Sequence, residues 1–172
     1  MATVSRRELR EMVFALLFET DFHPEKQAAD ILELAMQERE VVQSEYIEST
    51  YLNAVAKRNT LDAMIGAFSK GWKITRLSYV SRAVLRLGTY ELLYSELPVQ
   101  IALNEAIVLA KKFDDPKARP FVNGVLNGIK NEIELKGKGK RMAYIVRPSN
   151  VGSFFFGSQS SDNQGNDALL ND

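Results

Sequence analysis

The sequence contains no cysteine, which removes disulfides, thiolate nucleophiles and cysteine-based metal sites together. That suits a reducing compartment, although the absence is weak evidence on its own. Its one histidine, His23, stands before Pro24 in the stretch DFHP. A Ser–His pair, a zinc cluster or a histidine general base would all have to use it, so a surface or capping role is expected instead. Net charge is also lacking, with Lys plus Arg and Asp plus Glu at 22 each. No global field therefore draws in polyanions, and any nucleic-acid site must be a local patch, with a second protein as one source of further affinity. No apolar run approaches the ~20 residues a membrane helix needs, and MATVSRRELRE has no apolar core of a secretory signal. A soluble, cytoplasmic chain is expected. The segment GAFSKG, residues 66–71, lacks the order of a phosphate loop and reads as a helix end. Asp114–Asp115 before Pro116 reads as a turn rather than a cation site. Glu91 and Glu105 are expected to pair with Arg82, Arg86 or Lys112 rather than act as an acid–base couple. Nothing here points to catalysis, a cofactor or a metal.

What is present is a distinctive first helix, SRRELREMVFALLFE, residues 5–19. At 3.6 residues per turn, Leu9, Met12, Val13, Leu16 and Thr20 share one face at core-facing spacing. Arg7, Phe14 and Phe18 line the opposite face, with Arg10 and Glu11 beside them and Arg6 toward the flank. Cations that grip phosphates, interleaved with rings that stack on bases, are the ingredients of single-strand binding. The other reading is a central helix buried on both sides, with arginines at its start.

The remaining chain, 172 residues at 45% hydrophobic, fills one compact domain or two small lobes. Pro24 should end the first helix and begin a second, reaching Met36 or Arg39. A third carries Tyr46, Ile47, Tyr51, Leu52 and Val55. Asn59–Thr60 reads as a break with Thr60 capping a short fourth helix that Gly71 ends. A mixed, basic stretch follows, WKITRLSYV from Trp72 to Val80. Ser78 or Ser81 should cap the next helix, VLRLGTYELLY, and Pro98 should open IALNEAIVLAKKF. Pro120 starts a last helix with Phe121, Val122, Val125, Leu126, Ile129 and Ile133. No alternating strand precedes residue 140 and no solenoid repeat occurs, so the body is all-α with about seven helices. After Leu135 the basic, glycine-spaced KGKGKR argues against ordered helix. The boundaries expected are a helical domain over 1–136 and a basic, then polar, flexible tail over 137–172.

VLRLGTYELLY, Pro98, ALNEAIVLAKKF, a turn and FVNGVLN, in that order and behind an arginine-rich first helix, resemble the transcription antitermination factor NusB family over about Ser5 to Glu132. The resemblance implies two packed three-helix lobes with a seventh helical element. It implies binding of single-stranded boxA RNA in nascent ribosomal transcripts, together with NusE, a small-subunit ribosomal protein, within the RNA polymerase antitermination complex. Some members self-associate, and a homodimer of the free protein stays open. Arg6, Arg7 and Arg10 match the family's RNA-binding helix, where Phe14 and Phe18 add rings and Glu8 departs from members with arginine there. Lys117 and Phe121 lie at the loop that the family turns toward RNA, although Phe121 equally suits a hydrophobic helix anchor. Tyr79, Arg82 and Arg86 match the lobe that docks NusE, where Ser81 replaces a common acidic residue. Asn104 and Asn123 are expected to bond backbone between helices. The alternative is a protein-interaction module of the same fold, recruited to RNA-processing or RNA-modifying machinery.

Overall fold

A computed structural model describes residues 3–137; the basic and polar tail expected beyond them lies outside the described residues. Seven helices follow one another: α1 Arg6–Phe22, α2 Ala28–Gln37, α3 Glu45–Ala56, α4 Arg58–Ala67, α5 Tyr79–Tyr94, α6 Val99–Phe113 and α7 Arg119–Lys136, with a single 3₁₀ turn, Ile74–Arg76, ahead of α5. There is no strand among the described residues.

Local chemistry accounts for most of the boundaries. The Ser5 hydroxyl accepts from the Glu8 backbone N–H at 3.2 Å while the Glu8 carboxylate accepts from the Ser5 N–H at 2.7 Å, a reciprocal capping box. That bond from the Ser5 backbone holds the Glu8 carboxyl below the ordinary range. Ser44 caps α3 and Ser78 caps α5, each accepting an N–H three residues on. Pro98 is the cap residue of α6, and Pro120 sits in the first turn of α7, where a missing N–H costs nothing. Gly137, at φ 76°, closes α7.

Three expected boundaries differ. The turn after α1 continues through Lys26, whose N–H reaches the His23 carbonyl at 3.0 Å, so α2 begins four residues past Pro24. Thr60 is not a cap: Lys57 is the only residue between α3 and α4, and it donates back to Asn53 and accepts from Leu61, leaving Thr60 inside α4. That helix ends at Ala67, because the Ser69 hydroxyl takes the Ile65 carbonyl at 2.5 Å and the chain turns through Gly71 at φ 86°.

Helices α1, α2 and α3 pack on one another as one lobe; α5, α6 and α7 form the second, and α4 lies against α5 and α7. Contact between α1 and α5 joins the lobes. Helix α5 is the axis of the whole, with Ala83, Val84, Leu85, Leu87, Leu92 and Leu93 all buried. Its Gly88 lets two neighbours approach closely: a Cβ there would lie 2.9 Å from both the Ala106 Cβ and a Leu126 methyl. Gly88→Val should therefore destabilise the fold by on the order of 3 kcal/mol through overpacking, seen as a lower urea midpoint with the helical circular-dichroism signature kept in the absence of denaturant.

Candidate nucleic-acid interface

The start of α1 carries three arginines in three different environments. Arg10 points inward and is only 3% exposed. Its Nε and Nη2 donate to both oxygens of Glu91 on α5, at 2.6 and 3.1 Å, and its Nη1 reaches Glu105 on α6 at 3.3 Å. The Tyr46 hydroxyl of α3 donates to the same Glu91 carboxylate at 3.2 Å. Burial opposes the charge on Arg10, yet the hydrogen bond and charge of Glu91 more than offset it and hold its pKa above the ordinary arginine value. Burial, reinforced by the Glu91 charge, raises the Tyr46 phenol well above the ordinary tyrosine range.

Arg6 and Arg7 are the outward pair. The Arg6 guanidinium lies over the Tyr46 ring at 4.3 Å, a cation–π contact that leaves its edge to solvent. Arg7, with its side chain 60% exposed, makes a two-pronged contact to Glu105 at 3.1 Å for each bond. Arg7 in turn, mainly through that hydrogen bond, holds the Glu105 carboxyl below the ordinary carboxylate range. One turn further along, Lys112 of α6 bonds Glu11 at 2.7 Å. Glu91 and Glu105 thus do form ion pairs, but with the arginines of α1, because α5 and α6 lay them against its first two turns.

Beyond the arginines runs a line of rings. Phe113 of α6 stacks on Phe14 at 4.7 Å, Phe14 neighbours Phe18 at 6.3 Å, Phe18 meets Phe22 at 5.0 Å, and Phe22 meets Tyr79 of α5 at 4.4 Å. Phe14 is buried in this line and Phe18 half-buried, whereas Phe22, Tyr79 and Phe113 are exposed. Arg82 lies over Tyr79 at 4.8 Å and donates to the Thr75 and Leu77 carbonyls at 2.6 and 3.0 Å. Arg86 is buried between carboxylates, donating to Asp62 of α4 at 2.8 and 2.9 Å and to Asp21 at the end of α1 at 2.8 and 2.9 Å. Ser81 is buried and donates to Asp114 at 2.8 Å, tying the start of α5 to the turn after α6. In that turn Lys117 is exposed. Phe121 lies half-buried, edge-on to Trp72 at 6.4 Å.

The arrangement therefore links Phe18 through Phe22 to Tyr79, leaves Arg6 and Arg7 exposed at the start of the same helix, buries Arg10, Phe14 and Arg86, and pairs Phe121 with a ring of the α4–α5 connection. Residues that sequence reasoning passed over are Phe22, Phe113, Tyr46 and Trp72. Phe22 extends the spacing of Phe14 and Phe18 by one more turn, a signal available in the sequence. Phe113 and Tyr46 reach α1 from other helices, and no local pattern announces that. Asn104 is exposed and accepts from Gln100 within α6 at 3.0 Å. The Asn123 carbonyl accepts from Asn127 at 2.8 Å, but its side-chain oxygen is buried without a partner. Neither links two helices. No cluster of acidic or histidine side chains suited to a metal occurs among the described residues, and no helix there is long and apolar enough to cross a membrane.

Removing one partner of a buried ion pair leaves the other charge uncompensated, at about 3–5 kcal/mol. Arg10→Met should show that loss in urea denaturation, and adding Glu91→Gln should recover part of it, because no buried charge then remains unpaired.

Comparison with known proteins gives these features a context. The profile of the NusB family matches residues 7–131. The transcription antitermination protein NusB of Bacillus subtilis (strain 168) is 39% identical over 132 residues, covering 76% of this chain and 98% of that protein. The NusB protein of a Nitratiruptor species is 39% identical over 139 residues, covering 78% and 96%. Among solved structures, T. maritima NusB superposes with a TM-score of 0.66 at 31% identity, covering 76% of this chain and 94% of that one. A chain from a crystal structure of the antitermination factors NusB and NusE in complex with dsRNA superposes at 0.65 and 28% identity, covering 74% and 97%. With its profile match over residues 7–131, its near-complete coverage of these relatives and the shared fold, the chain belongs to the NusB family.

Proposed function

We propose that this protein is a transcription antitermination factor that binds boxA-type RNA of nascent ribosomal transcripts together with NusE, within the cytoplasmic antitermination complex on RNA polymerase. The observation that carries this reading is the 4.4 Å contact between Phe22 and Tyr79. It joins the ring line of α1 to the start of α5, which supports a single edge shared by one strand and one partner protein. Arg6 and Arg7 meet phosphates, Phe18 and Phe22 offer ring surface to bases, and Tyr79 with Arg82 faces the partner. Lys117 adds a cation beside Phe121. Arg10, Phe14 and Arg86 act from beneath, holding α1 and α5 in register. A second surface on the same strand, supplied by the partner, gives a chain of zero net charge useful affinity.

The solved relative was captured with double-stranded RNA. Stacking on exposed rings needs unpaired bases, and an A-form duplex hides its base edges in a deep, narrow groove, which favours single-stranded RNA as the specific ligand here. Catalysis forms no part of the reading. The groove of about 830 Å³ between α1, α3 and α5 is lined by Arg6, Tyr46, Tyr90, Glu91 and Tyr94. Glu91 there is already held by Arg10 and Tyr46, and burial raises the tyrosines, Tyr94 to about 12, so they stay protonated at neutral pH.

Fluorescence anisotropy tests the proposal with boxA RNA, a scrambled strand and a boxA duplex, each with and without NusE. Single-stranded boxA should bind tightest, and NusE should tighten it further. Phe18→Ala should weaken binding by about 1–3 kcal/mol if a base stacks there, and Arg7→Ala should shrink the salt slope by about 0.7 for one phosphate. Glu105→Gln should tighten binding, because it removes a carboxylate that competes with phosphate for Arg7. Equal, weak and salt-erased binding to all strands, indifferent to NusE, would instead favour a protein-interaction module.

A further inference from the structure

Residues 63–90 contain five cations, Lys70, Lys73, Arg76, Arg82 and Arg86, and no carboxylate, although the whole chain is neutral. Two of them are committed: Arg86 to Asp21 and Asp62, and Arg82 to the carbonyls of Thr75 and Leu77. Lys70, Lys73 and Arg76 are exposed and make no salt bridge among the described residues. In their midst Trp72, the one tryptophan of the chain, is 55% exposed with Phe121 edge-on at 6.4 Å. Lys117 stands in the turn just before Phe121 and is also exposed.

This segment is not a loose loop. The Trp72 N–H donates to the Ser69 carbonyl at 3.0 Å, the Arg76 N–H to Lys73 at 2.9 Å and the Leu77 N–H to Ile74 at 3.1 Å. Arg82 clamps two further carbonyls of the same turn from α5. The backbone of this turn is fixed by its own hydrogen bonds, and it carries Trp72 exposed, against the usual tendency of tryptophan to be mostly buried. An exposed ring flanked in the chain by exposed cations, with no carboxylate between residues 63 and 90, is suited to stack an unpaired base and track its phosphates.

We propose that Trp72, flanked in the chain by Lys70, Lys73 and Arg76, forms a further single-stranded RNA contact on the C-terminal lobe, next to the Phe121 already assigned to the RNA face and engaging nucleotides outside those held by α1. The proposal rests on the RNA-binding reading and extends its footprint along the strand. Positive charge and an aromatic face select a polyanion with flat bases over an apolar protein surface.

Because Trp72 is the only tryptophan, its emission reports the contact directly. The full chain is titrated with boxA RNA, with the same RNA extended at either end by unpaired uridines, with a boxA duplex, and with NusE alone. Extended RNA should quench Trp72 emission and bind more tightly than boxA alone. Trp72→Ala should abolish that advantage, about a tenfold loss for one stacked base. Lys73→Gln and Arg76→Gln, both at exposed positions that leave the core untouched, should each lower the salt slope by about 0.7. Unchanged emission at saturating extended RNA, with unchanged affinity and slope in the Gln variants, would overturn the proposal. So would a change in emission caused only by NusE, which would make the patch a protein contact. If Arg7→Ala still weakens boxA binding in those cases, the α1 site stands without this extension; if no RNA binds at all, both readings fall together.

Discussion

The ion pair between Arg10 and Glu91 is the interaction on which the rest depends. It is buried at the point where α1, α3, α5 and α6 meet, and Tyr46 and Glu105 complete its hydrogen bonds. A hydrophobic pair of similar volume would contribute as much or more stability. What the charged pair adds is direction: two parallel bonds fix both the rotation of α1 about its axis and its advance along α5. With that rotation fixed, Arg6 and Arg7 must project outward.

A second buried device works at the other end of α1. Arg86 joins Asp21 and Asp62, binding the last turn of α1 and the middle of α4 to α5. Between the two arginine clamps runs the line of rings from Phe113 to Tyr79, buried at its centre and exposed toward its ends. The lobes are thus locked together by charge at two points and joined by aromatic packing between them. The proposed binding edge spans both lobes and needs this rigidity, since a hinge there would separate its proposed RNA and partner faces. Ser81 adds to it by bonding Asp114, where a carboxylate at position 81 would have faced another carboxylate.

Much of this was legible in the residues themselves. Ser78, Pro98 and Pro120 mark helix starts through chemistry that acts within a turn, and the structure puts a start at each. The two faces of α1 were half legible. Val13, Leu16 and Thr20 are buried as their spacing demands, but Phe14 on the opposite face is buried too, because Phe113 covers it from α6. Periodicity describes one helix and is silent about a ring arriving 99 positions later, the separation of Phe14 and Phe113 in the sequence. The same limit hides Arg10, which resembles its two neighbours until Glu91 is brought against it. Thr60 shows a different failure: a good capping residue is passed by when a single residue, Lys57, separates two helices and the next one has already begun at Arg58. Asn123 remains without an account, since its buried side-chain oxygen finds no partner.

In the proposed function, three arginines of the first helix divide the labour, with Arg10 building the fold and Arg6 and Arg7 facing RNA. NMR of the arginine Nε–Hε groups during titration with boxA RNA tests it most directly. The Arg7 signal should shift and sharpen as Glu105 is exchanged for phosphate, with Arg6 shifting alongside. The Arg10 signal should be visible and exchange-protected before RNA is added, and should stay in place throughout. An Arg10 signal that exchanges rapidly in the free protein and moves with RNA, while Arg7 stays silent, would contradict it.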